Sequence, residues 1–123
     1  MNRRHAFAAA LIPGLLWTIP AHSAVPARVQ SEVDSLFARI ESSGCSFYRN
    51  GTWHDAKVAA AHLRDKYDYL RARDLVATTE DFIERAATKS SFSGQTYKVK
   101  CGDGAEESSS RWLYDKLAHL RSP

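Results

Sequence analysis

Two cysteines in 123 residues are too few for a disulfide-dense miniprotein, and six glycines and four prolines are too few for a collagen-like chain. The composition equally excludes a coiled coil, and no internal repeat is present. Catalytic and metal signatures are missing too. There is no H-E-x-x-H, no C-x-x-C, no G-x-S-x-G elbow and no S-x-x-K spacing. Gly102-Asp103-Gly104 lacks the ligand repeat of a calcium loop. No metal and no cofactor is therefore expected. Acidic and basic residues are interspersed and form no basic block, so nucleic acid is not an expected partner. What is there is an ordinary globular composition, 44% hydrophobic, at a length that allows one domain.

The N-terminus carries Arg3 and Arg4, then a charge-free run over Ala6–Ile19, then small residues through Ala24. This order reads as a cleaved signal peptide over residues 1–24, with cleavage after Ser23 or Ala24. The run contains Pro13 and Gly14 and falls short of the roughly 20 apolar residues a membrane span needs. No membrane association is expected after cleavage. Removing the leader leaves 15 basic against 14 acidic residues, so most of the apparent basicity belongs to the targeting signal. Export into an oxidising compartment, with only Cys45 and Cys101 remaining, predicts a disulfide between them.

Residues 25–123 read as a single small α+β domain. Val29, Val33, Leu36, Phe37 and Ile40 recur at helical spacing over about 27–43, with Gly44 as the stop. Asn50-Gly51 between aromatic strand formers is a type I′ hairpin turn, a reading that leaves its glycosylation sequon unused. Asp55 caps a second helix to about Arg73 with Ala59, Leu63, Tyr67 and Leu70 facing the core. Thr78 and Asp81 start a third helix with Phe82, Ile83, Ala86 and Ala87 inward. Thr96–Cys101 alternates as a strand, 102–110 is a polar loop, and Trp112, Leu113, Leu117 and Leu120 mark a final helix. The expected architecture is four helices on one face of a hairpin plus one strand. Setting Cys45 opposite Cys101 puts Phe47 opposite Val99 and Arg49 opposite Tyr97, with both cysteines on the helix-covered face.

On the other face the same register gathers Tyr48, Trp53, Lys98 and Lys100. An aromatic pair beside lysines suits a sugar ring or a peptide with an anionic group. The plainer alternative is a cross-strand pair that only stabilises the ribbon, in a structural envelope component. His62, Lys66, Tyr69 and Arg73 form a cationic stripe on the second helix, either contacting a ligand or pairing with Glu80 and Glu84 of the third. Ser90, Ser91 and Ser93 with His62 contain the residue types of a small hydrolase, although no spacing positions a nucleophile. The leading expectation is a non-enzymatic periplasmic binding or accessory protein, with a peptidoglycan fragment or an envelope protein as partner.

Four segments taken together resemble one family: Cys45-x-Phe47-x-Arg49-Asn50-Gly51; Ala60-Ala61-His62-Leu63-x-x-Lys66-Tyr67; Thr79-Glu80-x-Phe82-Ile83; and Ser90-Ser91-x-Ser93-Gly94-x-x-Tyr97-x-Val99-x-Cys101. It is the YfeK-like family of exported proteobacterial proteins, a domain of unknown function. The resemblance implies a Gram-negative periplasmic protein and carries no activity with it. Among the matching residues, Arg49, Asn50, His62 and Lys66 join Tyr48, Trp53, Lys98 and Lys100 as candidate ligand contacts. Separately, Ser93-Gly94-Gln95-Thr96-Tyr97 is similar to the S-G-x-x-Y loop of periplasmic inhibitors of C-type lysozyme, β-barrels whose fold the helical pattern here contradicts.

Overall fold

The computed structural model describes residues 8–17 and 24–123. Arg3, Arg4 and the cleavage junction up to Ser23 lie outside the described residues. Within residues 8–17, Leu11, Ile12, Leu15, Leu16 and Trp17 are all exposed and form no helix or strand. These residues therefore add nothing to the core. No helix among the described residues is long and apolar enough to cross a membrane.

Four helices and one antiparallel sheet make an α+β fold. Helix α1 spans Ala27–Ser42, α2 Ala56–Arg71, α3 Thr79–Ala86 and α4 Ser109–Arg121. Strands β1 (Ser46–Arg49), β2 (Thr52–His54), β3 (Lys98–Lys100) and β4 (Glu107–Ser108) lie in the order β2-β1-β3-β4. Local chemistry sets most boundaries. Asp55 accepts the Val58 amide at 2.9 Å to start α2. Thr78 and Asp81 form a reciprocal capping box for α3. Gly44 leaves α1 at φ 68°, and Asn50 and Gly51 take the two positive φ values, 48° and 85°, that a type I′ turn demands.

The expected register holds. Phe47 lies opposite Val99, Tyr48 opposite both Lys98 and Trp53, and Cys45 is bonded to Cys101. Three expectations need correction. The polar loop contains a fourth strand, because the cap of α4 runs beside β3 and the Ser109 amide donates to the Tyr97 carbonyl at 3.0 Å. Ala60 is the buried alanine of this stripe of α2, and Ala59 packs half-buried against the core beside it. Cys101, one residue past β3, is exposed while its partner Cys45 is buried, so the disulfide sits at the rim of the core and not inside it.

The core is organised by an aromatic trio contributed by three helices. Phe37 of α1, Tyr67 of α2 and Phe82 of α3 have ring centroids 5.3–6.3 Å apart. The buried Tyr67 donates its hydroxyl to Gln30 at 2.7 Å, so the trio leaves no orphaned polar atom there. Phe47 and Trp112, edge to face at 5.8 Å, join the sheet to α4.

A polar clamp ties the chain's far end to this core. Glu32 on α1 accepts the fully buried Thr79 hydroxyl at 2.8 Å and the Arg121 guanidinium at 2.7 Å, and Arg121 also bonds Glu80. The Arg121 hydrogen bond, aided by Thr79 and opposed by burial, holds Glu32 down at about 2. Its stabilising contribution is complete above the ordinary carboxylate pKa and is lost as pH falls towards 2. Glu32→Gln is expected to lose about 1 kcal/mol at pH 7, since Arg121 is partly solvated. Its acid-unfolding profile between pH 4.5 and 2 should also be flatter than wild type, as checked by urea titrations at each pH.

Candidate functional site

Period-two alternation puts Arg49 on the same face of β1 as the buried Phe47, so the last residue before the hairpin turn is carried under the start of α2. There it meets His62, one turn and a half into α2, and Tyr97, which enters β3 from the other side. These three line a cavity of about 40 Å³ together with Val58, Leu63, His54 and Ser109. That volume admits a few waters or one small polar group, far below the roughly 300–1,000 Å³ of a pocket that swallows a whole ligand. No acidic side chain lines it.

The Tyr97 hydroxyl is the hub. His62 Nε2 lies 3.2 Å from it, and Lys66 Nζ donates to it at 3.2 Å and to the Lys89 carbonyl at 3.1 Å. Lys66 does not line the cavity and stands one hydrogen bond behind it. Three cation-forming side chains thus surround one phenol. Among the described residues none of the three has an ion-pair partner. The electrostatic consequences agree. Burial, then the charges of Arg49 and Lys66, push the His62 pKa down against a small opposing pull from Asp65. Burial and Arg49 push Lys66 down. Burial pushes Tyr97 up while Arg49 pulls it back. The Arg49 Nε–H is buried without a hydrogen-bond acceptor, which a guanidinium tolerates poorly.

The plainer explanation of the helical stripe, pairing with Glu80 and Glu84, is not what the structure contains. Glu80 bonds Arg121, and Glu84 accepts the Tyr114 hydroxyl at 2.9 Å, so both glutamates of α3 serve α4. The stripe itself divides. His62 and Lys66 converge on Tyr97, whereas Arg73 stacks 3.5 Å over the ring of the exposed Tyr69.

Two of the three candidate serines, Ser90 and Ser93, are committed elsewhere. Ser90 Oγ accepts the Phe92 and Ser93 amides at 3.2 Å each, closing the turn that Gly94 completes at φ 73°. Ser93 donates to Asn50, which fastens that turn to the hairpin. His62 spends Nε2 on Tyr97, so the His–Ser contact that a hydrolase needs is not formed. Asn50 is consequently a positioning residue for the hairpin and not part of the cavity wall.

Tyr48, Trp53 and Lys98 form a surface cluster on the outer sheet face, and of the three only Tyr48 also reaches the cavity wall. The rings meet edge to face at 5.4 Å, and Lys98 Nζ lies 5.2 Å from the Tyr48 centroid. Lys100 is exposed beyond them, and neither Trp53, Lys98 nor Lys100 reaches the cavity. Two cavity residues, Tyr97 and His54, went unrecognised as site candidates in the sequence. For Tyr97 the signal was available: an inward-alternating tyrosine must hydrogen-bond its hydroxyl inside the fold.

Fold and site together define a small α+β protein with one disulfide and a half-buried cluster of cation-forming side chains gathered around the buried Tyr97. The chain belongs to DUF5329, a family of unknown function, which matches residues 27–121. It is 33% identical over 87 residues to the uncharacterized protein YfeK of Salmonella typhimurium, covering 70% of this chain and 71% of that one. No solved structure matches.

Proposed function

We propose that the protein is a non-enzymatic binding protein of the periplasm, exported on a leader over residues 1–24, that holds the anionic end of a peptidoglycan fragment. One observation carries this reading: Arg49, His62 and Lys66 converge on the Tyr97 hydroxyl beside a cavity with no acidic wall. Half-buried cations without counter-charges are partly desolvated in the free fold, so a ligand that supplies the missing charge gains the desolvation already spent on them. The cavity is sized for an end group, which leaves the body of the ligand on the surface. The Tyr48, Trp53 and Lys98 cluster then offers a sugar-stacking platform on the outer face of the same hairpin.

Calorimetric titration of the mature chain with soluble murein fragments tests the proposal. Arg49→Ala removes a charge-assisted contact and should weaken binding about ten- to a hundredfold, with thermal stability little changed. No heat of binding at millimolar fragment would end the reading. Retention of an envelope protein from periplasmic extract, with no fragment bound, would replace peptidoglycan as the partner.

A further inference from the structure

The hydrogen-bond inventory of the Tyr97 hydroxyl constrains the site more tightly than its charge does. A phenol has one proton to give and two lone pairs to receive. Lys66, a donor only, occupies one lone pair. While His62 is neutral, its Nε2 can receive the Tyr97 proton, and the hydroxyl is then spent within the cluster. Once His62 is protonated, Nε2 becomes a donor as well. Tyr97 then accepts from both neighbours, the contact from Arg49 to its oxygen gives way, and its own O–H must find an acceptor elsewhere. The buried Arg49 Nε–H, in the same cavity wall, already lacks one. Two N–H or O–H donors on one small cavity match the two oxygens of a carboxylate.

We propose that this cavity binds a carboxylate together with one proton, Arg49 and Tyr97 donating to the two oxygens while His62 takes up the proton at Nε2 and Lys66 holds the Tyr97 hydroxyl from behind. The inference rests on the reading of the cavity as an anion site. Proton balance is simple: water supplies H⁺ to His62, no covalent bond in ligand or protein is made or broken, and the bound state carries one extra proton. Most of the charged or titratable groups facing His62 favour this coupling. Arg49 on β1, Lys66 on α2 and His54 on β2 oppose its protonation in the free protein, Asp65 on α2 gives only partial relief, and Tyr97 is its hydrogen-bond partner. A bound carboxylate reverses that balance at short range. Affinity therefore rises as pH falls through the window between the free and the bound pKa of His62, by up to about tenfold per pH unit.

Acetate is the probe, because from pH 5.5 upward it is predominantly ionised, and the small acid fraction left at pH 5.5 releases protons on binding and so works against the expected uptake. Calorimetry at pH 5.5, 6.5 and 7.5, each in two buffers of different ionisation enthalpy, reads both Kd and the protons taken up. The wild-type protein should tighten towards pH 5.5, with uptake approaching one proton, and the His62 imidazole signals should titrate higher with acetate than without. His62→Gln should bind acetate with a pH-independent Kd and no proton uptake. Acetate that binds the wild type with a flat pH profile and no proton uptake overturns this inference and leaves the anion site standing. Acetate that does not bind at all, with murein fragments also silent, overturns both. The two-buffer measurement on wild type decides the matter even if the variant is poorly folded.

Discussion

Replacing Cys45 and Cys101 together by serine should lower the unfolding free energy by about 4 kcal/mol and the melting temperature by about 15–30 °C. The bond closes a loop with a sequence separation of 56 residues, so its loss returns a large conformational freedom to the unfolded chain. Against the roughly 5–15 kcal/mol total of a domain this size, that is a large share. Its position makes the loss structural as well as entropic. The strands it joins are only four and three residues long, and the pairings Ser46–Lys100, Phe47–Val99 and Tyr48–Lys98 are all that hold β1 to β3 besides the core. Arg49 and Tyr97 are the next residues outward along those two strands. The serine variant should therefore lose definition at the cavity before it unfolds globally. Urea titrations of the oxidised protein and the double-serine variant measure the effect. A difference below 1 kcal/mol would mean that the helices alone fix the register.

Features governed by near neighbours in the chain were legible in the sequence. The Asn50-Gly51 turn, the Thr78–Asp81 box, the Asp55 cap and the stop at Gly44 each depend on residues within four positions of one another. The β1–β3 register was legible because two cysteines admit one pairing. The face of α2 was legible at Leu63, Tyr67 and Leu70 but not at its alanine, since Ala59-Ala60-Ala61 offers no hydrophobic contrast. Strand β4 was invisible because a two-residue strand has no period. The partners of Glu80 and Glu84 lie on α4, 41 and 30 residues away, beyond any helical spacing rule. The same distance hid the site's centre: His62 and Lys66 are adjacent on one helix, but the phenol between them comes from 31 residues further on. A cationic helix stripe reads as solvated surface until a fold lays a buried tyrosine across it.

The second large effect concerns α3, which at eight residues is too short to persist without its packing. Phe82→Ala should cost about 3–5 kcal/mol, the range for removing a fully buried phenyl ring. Phe82 is completely buried, and its ring meets Phe37 at 5.3 Å and Tyr67 at 5.6 Å, so truncation opens a void among three helices that none can fill alone. Phe82→Leu should lose less, about 1–1.5 kcal/mol, because most of the volume remains. The consequence reaches the cavity through the backbone. Thr88, just past α3, donates its hydroxyl to the Ile83 carbonyl at 2.9 Å and receives the Tyr97 amide on its own carbonyl at 3.0 Å. Where α3 docks therefore decides where the Tyr97 ring stands relative to His62 and Lys66. Phe82→Ala should weaken acetate binding at a temperature where the protein is still folded, whereas Phe82→Leu should leave it near wild type. Equal acetate affinity in all three proteins, alongside the expected stability loss, would show that the Tyr97 hub is fixed by β3 and α2 without help from α3.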